Sequence, residues 1–89
     1  MQTIRIIVKG KVQGVFYRAF TKETAEQFGI KGWVKNLTDK SVEIKATSTE
    51  EKLKNFISIL KQGPPRSKVE EMIIEELTIE HFSSFRILR

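Results

Sequence analysis

The sequence contains no cysteine. That excludes a disulfide framework, a thiolate nucleophile and a cysteine-ligated zinc or iron–sulfur centre, and it makes the cytoplasm the expected compartment. Histidine occurs once, as His81, with no acidic residue at the spacing of a catalytic triad or a metal site. Long apolar runs are missing too. The stretch Ile4 to Val8 is interrupted by Arg5 and is too short for a membrane span or a secretory signal. With two prolines and five glycines, the chain has few breakers, and it contains no linker, internal repeat or low-complexity segment. Neither a metal nor a cofactor is expected.

What remains is 89 residues, 39% of them hydrophobic, enough for one small domain spanning 1–89. Sixteen basic against eleven acidic residues give a net charge of +5. Such a balance favours anionic partners, whether phosphorylated metabolites, nucleic acid or acidic head groups, without choosing among them.

Periodicity supplies the elements. Thr3 to Lys9 alternates as a half-buried strand, with Ile4, Ile6 and Val8 on one side. Tyr17, Phe20/Thr21, Thr24/Ala25 and Phe28 form a helical stripe that Gly29 stops. Lys31 to Leu37 and Val42 to Ala46 read as strands around a turn at Thr38, Asp39 and Lys40. Ser48 with Glu51 suggests a capping box ahead of a helix whose stripe is Leu53, Phe56, Ile57 and Leu60. Gly63, Pro64 and Pro65 end it, and Val69 to Leu77 and Ser84 to Leu88 follow as strands. The order β-α-β-β-α-β-β predicts a ferredoxin-like α+β sandwich, two helices on a five-stranded, mostly antiparallel sheet. In that topology the third strand lies between the first two, whose C-terminal ends then share one edge about 10 Å apart. The Gly10 to Arg18 loop and Asn36 are expected there.

That loop carries the chemistry. Two glycines before a helix let main-chain N–H groups turn inward around an oxyanion. Arg18 adds a guanidinium that matches phosphoryl oxygens and stays charged. The structural alternative is a simple chain reversal with a solvated arginine, and spacing alone leaves both open.

The residues Gly10-Lys11-Val12-Gln13-Gly14-Val15-Phe16-Tyr17-Arg18, followed by Gly32-Trp33-Val34-Lys35-Asn36, resemble the paired signature of the acylphosphatases, and the element order resembles theirs along the whole chain. The resemblance implies hydrolysis of the carboxyl–phosphate anhydride of acyl phosphates, without metal or covalent intermediate. Carried over by position, it implies that Arg18 and the amides of Val12, Gln13, Gly14, Val15, Phe16, Tyr17 and Arg18 bind the phosphoryl oxygens, while Asn36 holds the attacking water. Such chemistry needs no histidine or cysteine, because a carboxylate leaves readily and phosphoryl transfer depends on positioning and electrostatics. Two positions depart from the family pattern. Tyr17 replaces the usual Phe, so its hydroxyl needs a partner if buried. Lys40 stands where glycine is expected, at a cost of about 1 kcal/mol if the backbone there is left-handed; its charge would add to the positive field at that edge.

Other residues are read structurally. Trp33 is assigned to packing, Gln13 to shaping the loop, and Glu70, Glu71, Glu75, Glu76 and Glu80 to a solvated face that protects a sheet edge. A competing function is a non-catalytic basic module gripping RNA or a phosphorylated ligand, but the third strand offers no aromatic for base stacking. A third is a recognition unit within a larger maturation enzyme, against which a chain ending just after its fifth strand points to a free-standing monomer. The expected partner is a small acyl phosphate, with no nucleic acid and no membrane.

Overall fold

β-Branched residues alternating with charged ones build β1 (Gln2–Lys11), which buries Ile4, Ile6 and Val8 and turns Arg5, Ile7 and Lys9 the other way. The chain continues through α1 (Tyr17–Gln27), β2 (Lys31–Asn36), β3 (Val42–Ser48), α2 (Glu50–Gln62), β4 (Lys68–Leu77) and β5 (Phe85–Ile87) in a computed structural model that describes residues 1–89. The strands form one sheet in the order β4-β1-β3-β2-β5. All neighbours are antiparallel except β2 and β5, so this is the expected two-layer α+β sandwich.

Both helices lie on one face and enclose the core. Ile6, Val8, Val34, Val42, Ile44 and Ala46 from the strands meet Ala25, Phe56 and Leu60 from the helices, all of them fully buried. The helical stripes fall as the sequence predicts: Tyr17, Thr21, Thr24 and Ala25 are buried in α1, and Leu53, Phe56 and Leu60 in α2. The open face carries Arg5, Trp33, Lys35, Glu43 and Lys45. There Arg5 pairs with Glu43 at 2.6 Å, and the Lys35 and Lys45 nitrogens sit 5.2 and 5.8 Å from the Trp33 ring centroid. Trp33 is therefore half-buried packing beneath lysine stems, as expected.

Three details differ from the sequence reading. The cap of α2 is Thr49, whose hydroxyl accepts from the Lys52 amide at 3.3 Å, rather than Ser48 with Glu51. Ser48 is buried and still paired with Gln2 in the sheet, so the strand ladder holds it and the helix begins one residue later. The glutamates of β4 do not form one face: Glu71 and Glu75 stand opposite Lys9 and Arg5, and Glu76 stands opposite Ile4 on the alternate side. All are exposed along what is indeed an edge strand. Glu80 belongs to the β4–β5 connection, which crosses the open face. Its main-chain N–H donates to Thr3 Oγ1 at 2.8 Å, its carbonyl accepts from Thr47 Oγ1 at 2.6 Å, and its carboxylate meets Lys45 at 2.9 Å.

Candidate active site

Because β1 and β2 each run antiparallel to β3, they run parallel to one another, and β5 runs parallel to β2. The C-terminal ends of these three strands therefore share one edge, to which the loop from Val12 to Phe16 and the first turn of α1 also belong. Gly10 marks a bulge in the β1–β4 pairing, and a side chain there would strike the Lys68 carbonyl oxygen. From that point the chain leaves the sheet. Gly14 and Phe16 both adopt left-handed backbone, with φ of +73° and +64°. This alternation turns successive N–H groups inward as a concave nest.

The N–H groups of Val12, Gln13, Gly14, Val15 and Phe16 donate to no backbone carbonyl; the first to do so after them is that of Phe20, to Phe16 O at 3.0 Å. Those of Tyr17, Arg18 and Ala19 fall in the opening turn of a helix, where no intrahelical acceptor exists. Arg18 is half-exposed and takes part in none of the ion pairs of the chain. No acidic residue lies in the first turn of α1. Free amides, a helix N-terminus and a free guanidinium thus converge on a cavity of about 440 Å³, lined by Val12, Gln13, Gly14, Phe16, Tyr17, Arg18, Ala19 and Ile87.

Six of the seven loop residues singled out in the sequence line that cavity. Val15 does not: its side chain is buried in the core and borders a separate cleft with Pro64, Pro65 and Arg66. Asn36 is not among the lining residues either, but it stands on the same edge and on the helix-covered face of β2, in phase with Val34. Val34 pairs with Ile87 of the cavity wall. The Asn36 Oδ1 atom is buried and has no hydrogen-bond partner in the protein. A buried, unpaired carbonyl oxygen carries a desolvation penalty unless a donor reaches it, so this atom is set to accept a hydrogen bond from outside the protein. Ile87 was not legible as a site residue, because alternation alone does not reveal that the last strand lies beside β2.

Gln13 joins the two halves of the site. Its Nε2 donates to Leu37 O at 2.9 Å and to Ser41 O at 2.8 Å, using both amide protons on the turn that follows Asn36. That turn is also closed by Leu37 N to Ser41 O at 2.9 Å and Lys40 N to Leu37 O at 3.2 Å. Asp39 accepts from both the hydroxyl and the amide of Ser41, which holds its carboxyl below the usual carboxylate range, with a smaller contribution from Lys9. Lys40 sits at φ +75°, the left-handed conformation that the glycine expected there would adopt freely. It borders a small cleft of about 180 Å³ with Lys9 and Asp39.

The Tyr17 hydroxyl finds the partner its burial requires, donating to Leu60 O at 2.7 Å in the last turn of α2. Burial pushes that hydroxyl well above its ordinary pKa, so it stays a neutral donor. His81 is exposed, in a surface cleft with Trp33 and Phe82 away from the cavity. No group of three or more histidine, aspartate or glutamate side chains is placed to hold a metal ion, and no helix is long and apolar enough to cross a membrane.

Comparison with known proteins bears on this geometry. The acylphosphatase family profile matches residues 4–87. An acylphosphatase of Archaeoglobus fulgidus is 42% identical over 98% of this chain and 98% of its own. The crystal structure of acylphosphatase from Bacillus subtilis superposes with a TM-score of 0.97 at 40% identity, covering both chains completely. The crystal structure of T. kodakarensis HypF also matches 98% of this chain, with a TM-score of 0.83 and 34% identity, but only 12% of that larger chain is covered. The nest, the signature around Arg18 and Asn36, and full-length agreement in sequence and fold lead to one assignment: the chain belongs to the acylphosphatase family.

Proposed function

We propose that the amides of residues 12–18, the Arg18 guanidinium and the Asn36 carboxamide together perform the acyl phosphate hydrolysis of this acylphosphatase, with residues 1–89 acting as one unit. The observation that supports this most is the run of unpaired main-chain N–H groups from Val12 to Phe16 beside an arginine with no acidic partner. Such donors are arranged before the substrate arrives, so little reorganisation is needed as charge gathers on the equatorial phosphoryl oxygens.

In this mechanism the phosphoryl group rests in the nest with its oxygens on the amides and Arg18. Asn36 Oδ1 accepts a hydrogen bond from a water and aims its oxygen at phosphorus. The new P–O bond forms in line as the bond to the acyl oxygen breaks, and the electron pair of that bond leaves on the carboxylate. The water's protons end on phosphate oxygens, so the products are a carboxylate and orthophosphate. Neither Arg18 nor Asn36 acts as a general base, and the substrate's own phosphate takes that part. We also infer a monomeric enzyme of the cytoplasm: the site is built within one chain, and the sequence has no cysteine.

Hydrolysis of benzoyl phosphate in the presence of a chelator tests the reading. Arg18→Ala and Asn36→Ala are each expected to lower kcat/KM by about 10²–10³ with an unchanged circular dichroism spectrum. Turnover within about threefold of wild type in either variant removes that residue from the mechanism.

A further inference from the structure

We propose that Phe16 selects the acyl group, so that the enzyme favours acyl phosphates of aromatic or branched apolar carboxylic acids over acetyl phosphate. This rests on the site assignment above and extends it to the half of the substrate that the phosphate nest does not hold.

The Phe16 side chain is one for which the fold has little use. It is 79% exposed, more than any other large hydrophobic residue of the chain, so its ring gains almost nothing from burial. Its left-handed backbone helps to form the nest, but glycine or asparagine adopts that conformation more readily than a bulky aromatic, so nothing in the loop calls for a phenylalanine. As the N-cap of α1 it makes no side-chain capping bond. A bulky side chain that is exposed, makes no capping bond and is not required by its own backbone, at the rim of a binding cavity, has its use in the ligand.

Its position defines that use. Phe16 lines the cavity that Arg18 lines and also the cleft of about 440 Å³ beside Pro64 and Arg66, so the residue borders both. The first cavity is also lined by Ile87, 39% exposed and another of only six large hydrophobics that the whole chain exposes. With the phosphoryl group at Arg18, the acyl group extends along the other arm of the anhydride and leaves past these apolar side chains. An aromatic acyl group covers Phe16 and removes apolar surface from water, whereas an acetyl group is too short to do so.

The test compares kcat/KM for benzoyl phosphate and acetyl phosphate in wild type, Phe16→Gly and Phe16→Trp. Glycine meets the backbone at this position without strain, and thermal melting verifies that each variant is folded. The benzoyl-to-acetyl ratio is expected to fall about tenfold in Phe16→Gly and to be kept in Phe16→Trp. A ratio within about twofold of wild type in folded Phe16→Gly overturns the proposal, because equal loss on both substrates means a purely structural role. Wild type that hydrolyses neither substrate overturns the site assignment as well, whereas hydrolysis of both with an unmoved ratio overturns the role of Phe16 alone.

Discussion

Lys40 has a left-handed backbone, φ +75°, at an exposed turn position with no side-chain hydrogen bond to favour it. Left-handed backbone costs an L-residue roughly 1–2 kcal/mol, while glycine, the residue the family pattern expects there, adds only about 0.4–1 kcal/mol of unfolded-state entropy. Lys40→Gly should therefore stabilise the protein by about 0.5–1 kcal/mol, raising Tm by a few degrees in a thermal melt; an unchanged or lowered Tm would show that the turn is not strained. The conformation at Lys40 was foreseeable because the family pattern places a glycine there. That at Phe16 was not, since nothing about a phenylalanine ahead of a helix signals positive φ. A tyrosine at position 17 signals from sequence alone only that its hydroxyl needs a partner if buried. Which acceptor it reaches, Leu60 O, depends on how α2 ends above α1, and no local pattern encodes that.

Between elements, the decisive contact is the one Gln13 makes. The loop that offers amides and the turn that follows Asn36 belong to different connections, and the Gln13 carboxamide is bonded to two carbonyls of the second. Reacting groups misplaced by an ångström lose much of their rate, so this tie sets the register between bound phosphate and attacking water. Gln13→Ala should lower kcat about tenfold, more than it weakens competitive inhibition by inorganic phosphate. Placed in an Asn36→Ala background, the same change should cost little further, because Gln13 acts through that strand end; full additivity would argue against the coupling. The helices themselves were legible, since stripes such as Leu53, Phe56 and Leu60 match burial directly. Their starts were less so. Ser48 and Thr49 are both good caps by composition, and the choice fell to Thr49 because Ser48 is still held opposite Gln2.

At the scale of the whole molecule, element order sufficed to foresee the sandwich and the edge that Arg18 and Asn36 share. It did not reveal that β5 would lie parallel to β2 or that the connection leading to it would be pinned across Thr3 and Thr47. Those depend on contacts between segments 33 to 77 residues apart. The surface charge is uneven: glutamates line the β4 edge, while Arg18 lines the site cavity and Lys9 and Lys40 line a second cleft with Asp39.

The parallel run of β1, β2 and β5 gives the two chain termini unequal surroundings. Leu88 is still bonded to Val34 O at 2.8 Å, directly behind the cavity wall, whereas Gln2 begins β1 at the far end of the sheet, about 30 Å away for a ten-residue strand. A bulky fluorescent protein or resin tether attached after Arg89 should therefore throttle turnover by crowding the entrance, while the same appendage ahead of Met1 should leave benzoyl phosphate hydrolysis untouched. Equal rates for the two fusions would mean that the substrate enters by another route. For single-molecule or immobilised work, the amino end is the handle that leaves the doorway open.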